Sequence, residues 1–147
     1  MSCLDCIIKK CTKSKYSHSA LVVIDPPWDA KLKGTFIWES SWHGETDPQD
    51  GIVKFGVQLT PLTFYTEQYP GKVSIWARHQ VEKSVFDAQS LLTLHQTVYK
   101  KPYDTRPRDW ILAALCRRTT RQTDSFTCSA FVSYVLTQQK ILADDTC

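Results

Sequence analysis

Four short stretches in the first half of the chain have the composition of β-strands: Ser17 to Ile24, Thr35 to Glu39, Ile52 to Leu59 and Val73 to Arg78. In the third, Val53, Phe55, Val57 and Leu59 fall on alternate positions, the period that gives a strand one apolar face and one polar face. Turn-forming residues separate the stretches: Asp25-Pro26-Pro27, Gly34, Asp47-Pro48, Gly51 and Pro70-Gly71. Strands at this spacing predict an antiparallel meander.

The second half changes period. Ser84 with Asp87 has the form of a capping box opening a helix to about Tyr99, with Leu91, Leu94, His95 and Val98 on one face. A further helical segment follows Pro107, with Trp110, Ala113 and Ala114 in phase and Cys116 in or beside it. The third signal is the clearest. Thr127 is a candidate N-cap, and Cys128, Phe131, Val132, Val135 and Leu136 form an apolar stripe at helical spacing. A meander followed by packed helices predicts an α+β fold.

The chain of 147 residues matches one core, with 42% hydrophobic and 22% charged residues as in ordinary globular proteins. No repeat or linker divides it, so a single domain over residues 1–147 is expected, with 1–15 as an N-terminal strand or extension. A formal net charge of +3 is too small to imply polyanion binding, and no specific nucleic-acid partner is expected. The longest apolar run, Trp110 to Cys116, is far short of the about 20 residues that cross a bilayer. The first residues offer only Ile7-Ile8 as a hydrophobic centre, less than a secretory signal needs. The six cysteines (Cys3, Cys6, Cys11, Cys116, Cys128 and Cys147) are therefore expected as thiols in a cytoplasmic setting.

Among those thiols, Cys128 has a special address. The first turn of a helix presents free N–H groups and the positive end of the macrodipole, both of which favour thiolate over thiol. A small buried core residue would occupy the same position. A base within reach separates the two readings, and the candidates are His18, His43, His79 and His95. His18 opens the apolar run Ser19 to Ile24 and so sits at the edge of the core, where an imidazole needs a polar partner. If that strand pairs with Thr35 to Glu39 so that Val22 faces Thr35, His18 faces Glu39, close enough for a carboxylate to orient an imidazole. A slip by one residue would break the pairing.

Four strings, in this order, resemble the circularly permuted NlpC-like branch of papain-fold cysteine hydrolases: Tyr16-Ser17-His18-Ser19-Ala20-Leu21-Val22-Val23, Phe36-Ile37-Trp38-Glu39-Ser40, Lys101-Pro102-Tyr103-Asp104 and Phe126-Thr127-Cys128-Ser129-Ala130-Phe131-Val132. That branch includes bacterial enzymes, lecithin:retinol acyltransferase relatives and members carried by large DNA viruses. The resemblance, spanning roughly residues 16 to 142, implies a permuted papain-like α+β fold with the histidine strand first and the nucleophile helix last. It implies Cys128 as nucleophile, His18 as general base and acid, Glu39 as orienting group, and Tyr103 as a hydroxyl helping the Cys128 N–H at an oxyanion. The implied substrate is a peptide, amide, ester or thioester. Two departures stand out. The Gly-Asp strand that commonly opens the family is replaced by Leu4-Asp5-Cys6-Ile7-Ile8, and Thr127-Cys128-Ser129-Ala130 does not match the acyltransferase subgroup.

Two other readings accompany the hydrolase. One is an inert binding or assembly module of the same fold, with virion partners and a virion location if the chain is viral. The other is a lipid acyl hydrolase or acyltransferase with peripheral membrane contact. Lys9, Lys10, Lys13 and Lys15, with Arg106, Arg108, Arg117, Arg118 and Arg121, could make basic patches for anionic groups, although charge runs are usually solvated. Trp28, Trp38 and Trp42 could line an apolar pocket or simply pack. Cys3-x-x-Cys6 with Cys11 is half a zinc site without a second half. His43, Glu45, Asp47 and Asp50 read as a solvated turn. No metal and no cofactor is expected.

Overall fold

Three antiparallel strands carry the architecture: β1 (Leu21–Ile24), β2 (Thr35–Ser41) and β5 (Gly56–Pro61), with β2 in the centre. A computed structural model describes residues 14–77, 87–106 and 124–143 of the chain. Between β2 and β5 a small hairpin is formed by β3 (Thr46–Asp47) and β4 (Ile52–Val53). A π-helical turn (Phe64–Gln68) follows β5, and two helices come later, α1 (Ala88–Val98) and α2 (Cys128–Gln138). The mixed α+β class and the antiparallel sheet are those expected from the sequence.

Register decides which side chains meet. Val22 pairs with Ile37 and Ile24 with Thr35, so β1 is displaced by two residues from the expected alignment of Val22 with Thr35. The longer connection has a local cause. Asp25 adopts φ 45° and closes the loop by donating its N–H to Gly34 O at 2.9 Å, while its Oδ1 accepts from Gly34 N at 2.8 Å. A slip of two preserves the alternation of faces, so Trp38 stands between Leu21 and Leu59, and Glu39 opposite Gln58.

Two further strand expectations need correction. Ile52 to Leu59 is not continuous: Lys54 and Phe55 interrupt it, because the Lys54 ammonium turns back to Asp47 at 2.6 Å and Asp50 at 3.0 Å. Val73 to Ala77 is not a strand; Val73, Ile75 and Trp76 are exposed there, and among the described residues no strand pairs with this segment. Arg78 and Ser84 lie outside the described residues. So do Cys3, Cys6, Cys11, Cys116, Cys147, His79, the segment Leu4 to Ile8 and the helix expected after Pro107.

Helix α1 is capped by Asp87: its carboxylate accepts from Ser90 N at 2.9 Å. Leu94 and Val98 from its inner face join Phe36, Trp38, Val57 and Leu59 of the sheet, together with Phe126, Phe131 and Val135, in one apolar core. Trp38 is its centre, edge-on to Phe131 at 5.1 Å and tilted against Trp28 at 4.9 Å. Trp28 and Trp38 thus pack, while Trp42 is exposed.

Candidate active site

Cys128 is positioned by the way α2 begins. Thr127 has extended backbone dihedrals and its hydroxyl accepts from Ala130 N at 3.3 Å, which fixes Cys128 as the first helical residue. The Phe131 and Val135 side chains, fully buried in the core, anchor the helix behind it. The thiol is free and buried.

The His18 ring lies beside that thiol, close enough for each to shift the other's ionisation. Its other side meets Glu39, with Nε2 at 2.6 Å from Oε2. An ionised carboxylate has no proton to give, so Nε2 carries one, and Nδ1 is the nitrogen left for the Cys128 sulfur. The His18 to Glu39 contact expected from the sequence is thus present, but His18 makes it from the segment before β1, not as a member of the strand.

Glu39 is completely buried, and both of its oxygens accept hydrogen bonds. Oε2 also accepts from the Tyr65 hydroxyl at 2.7 Å, and Oε1 accepts from Thr60 Oγ1 at 2.7 Å and lies 2.8 Å from His43 Nε2. Burial works against its charge, but the bonds from the two histidines reverse this and hold its carboxyl well below the usual carboxylate range. The same balance governs its neighbours. Burial disfavours the His18 cation, yet the hydrogen bonds to Cys128 and Glu39 prevail and raise its pKa to about 10. Burial pushes the Cys128 thiol up, while His18 and the N–H groups of Ser19 and Ser129 bring it below its ordinary value. Together these directions describe a thiolate–imidazolium pair backed by a carboxylate.

Tyr103 completes the surroundings. Its segment is laced between two elements: Val57 N donates to Lys101 O at 2.8 Å, Tyr103 N to Phe55 O at 3.0 Å, and Phe126 N to Pro102 O at 3.0 Å. This brings Tyr103 beside the start of α2 and within electrostatic reach of the Cys128 sulfur. Burial first, and the negative sulfur next, raise its pKa, so the hydroxyl keeps its proton as a donor.

All four residues singled out from the sequence, Cys128, His18, Glu39 and Tyr103, therefore converge. Tyr65 and Thr60 were not foreseen. Thr60 had a detectable signal, since β5 read as a strand alternating at Val57 and Leu59; Tyr65 had none, because it hangs from an irregular turn. His95, another candidate base, belongs elsewhere: it stacks on Trp28 at 4.4 Å and bonds Gln49 through Nε2 at 2.6 Å. Burial lowers its pKa to about 4. Asp47 is likewise internal, receiving Lys54, Gln49 and the Leu59 N–H. Among the described residues no group of His, Cys, Asp and Glu side chains is arranged to hold a metal ion, and no helix is long and apolar enough to cross a membrane.

Comparison with protein-family models, with curated proteins and with solved structures returned no match for this chain.

Proposed function

We propose that this protein is a papain-like cysteine hydrolase of permuted topology, cleaving an amide, ester or thioester through an acyl-enzyme on Cys128. The observation that carries the reading is the continuous chain from the Cys128 sulfur through His18 to the buried Glu39, starting at a helix N-terminus. Burial alone would keep all three groups neutral, and a core cysteine has no need of an imidazole cation held by a carboxylate.

The chemistry follows from the protons. The Cys128 thiolate attacks the carbonyl carbon, and the electron pair of the C=O bond moves to oxygen. The Cys128 N–H and the Tyr103 hydroxyl are the donors we assign to that oxyanion, Tyr103 being the polar group electrostatically coupled to the sulfur. Collapse of the tetrahedral species breaks the bond to the leaving nitrogen, oxygen or sulfur, which takes the proton from His18 Nδ1. A water then attacks the thioester as neutral His18 removes its proton, the acid is released, and the thiolate–imidazolium pair returns. Glu39 holds the ring through Nε2 in both charge states.

Alkylation of Cys128 by iodoacetamide, followed by mass spectrometry of the Cys128 peptide, tests this without a known substrate. The rate should remain high well below the ordinary thiol pKa of 9.0. An acyl-directed thiol probe should label the wild type and leave the Cys128→Ala protein unlabelled at this position. A rate that simply tracks an ordinary thiol would overturn the reading.

A further inference from the structure

Glu39 holds a second imidazole, and the reaction just described makes no use of it. His43, from the turn between β2 and β3, places Nε2 within 2.8 Å of three oxygens: Glu39 Oε1, Ser41 Oγ and the Tyr65 hydroxyl. The carboxylate is ionised and has no proton, so the hydrogen on that 2.8 Å contact belongs to His43 Nε2. Tyr65 gives its only proton to Glu39 Oε2, which leaves its oxygen to accept. The direction of each bond is thereby settled: Glu39 receives from Tyr65 and His18 on one oxygen, and from Thr60 and His43 on the other.

A carboxylate has one charge to distribute. Each donor that draws density toward one oxygen leaves less for the donor on the other, and here the donors are two imidazoles on opposite oxygens. We infer that His43 is a positioning residue, which shares the Glu39 charge with His18 and so limits how tightly His18 holds its second proton. The inference rests on the hydrolase reading for its purpose, because that proton is the one delivered to the leaving group. An imidazole bound too firmly to its proton is a poor acid. Orientation does not depend on His43, since Thr60 and Tyr65 still secure one oxygen each. The groups that bear on this balance are His18 from the segment before β1, Tyr65 with Tyr69 beside it from the π-helical turn, Cys128 from α2, and Tyr103 beside the sulfur.

The titration of the His18 ring, followed by ¹H–¹⁵N imidazole NMR in the whole protein, reads the effect directly. In the wild type its midpoint is expected near pH 10. His43→Leu refills the space without a donor and should move the midpoint upward by about half a pH unit. His43→Gln keeps an N–H at the Nε2 position and should return it to the wild-type value. His43→Met, equally without a donor to Glu39 Oε1, should shift the midpoint upward as well, a second route to the result if the leucine variant does not fold. An unchanged or lowered midpoint in the donor-free variants overturns the inference, and so does a glutamine variant that behaves like leucine. The wild-type alkylation profile stands apart from these outcomes: a normal thiol there defeats the hydrolase reading, whereas a depressed thiol with an immobile His18 midpoint defeats only the role of His43.

Discussion

Glu39 is a charged residue with no exposure to water, and its environment makes the charge the stable form. Removing that charge while preserving shape is the sharpest single change. Glu39→Gln leaves His18 without a counter-charge and should raise the Cys128 pKa; since the alkylation rate at pH 6 follows the thiolate fraction, it should fall about tenfold for each unit by which that pKa comes to exceed 6. An unchanged rate would remove Glu39 from the proposed machinery. Cys128 and His18 also predict the shape of stability against pH. His18 is raised above its unfolded 6.5, so its contribution is complete below pH 6.5 and is lost as pH climbs through about 10. Cys128 is lowered below its unfolded 9.0, so its contribution is complete above pH 9 and is lost as pH falls. Where the folded thiol is ionised, the folded pair holds one proton on the imidazole and the unfolded pair holds one on the thiol, and the two slopes oppose each other. Stability measured by urea midpoint should therefore fall above pH 9, where only the His18 contribution is being lost, and fall again on the acid side as the thiolate is protonated. On the acid side, His95, with its pKa lowered to about 4, and Glu39 add to the loss. A midpoint that climbs steadily from about pH 6.5 to 9 would show that the raised His18 does not offset the lowered Cys128.

Both described helices begin with a side-chain cap, and only one of them begins with a thiol. Thr127→Ala removes the acceptor for Ala130 N, and Asp87→Ala removes the acceptor for Ser90 N. Each should lower stability by about 1 kcal/mol in chemical unfolding. Their effect on Cys128 should differ. Loss of Thr127 loosens the turn that fixes the sulfur beside His18 and should slow alkylation at pH 6, while loss of Asp87 should leave it unchanged. Equal slowing in both variants would show that reactivity follows global stability rather than the start of α2.

At the scale of the whole molecule, one tight constraint among the described residues is the approach of the Pro102–Tyr103 segment to the start of β5. Gly56 sits at φ 153°, and a Cβ built there would lie 2.2 Å from Lys101 O. No flexible side chain can yield, because the obstructing atoms are backbone. Gly56→Ala should force the two segments apart, with a cost of about 1–3 kcal/mol or more. Since Tyr103 and Phe126 bridge in the same region, the change should also displace the Tyr103 hydroxyl from Cys128. Thermal unfolding together with Cys128 alkylation would register both effects; a variant with wild-type melting would show that the contact is not tight in solution.

The order of strands before helices, the cap at Thr127 and the inward face of α2 were legible along the chain, because periodicity and capping are local and act over a few residues. The His18 to Glu39 contact was legible only through an assumed register. The assumption missed by two residues, yet the pair still met, since a slip of two keeps every side chain on its face and a long carboxylate reaches past the strand end. Tyr65, Thr60 and His43 are different. They come from an irregular turn, a strand and a loop, and no local pattern announces that their polar atoms will surround one carboxylate. Burial made that convergence necessary: once tertiary packing had removed Glu39 from water, its lone pairs had to find donors wherever the fold brought them.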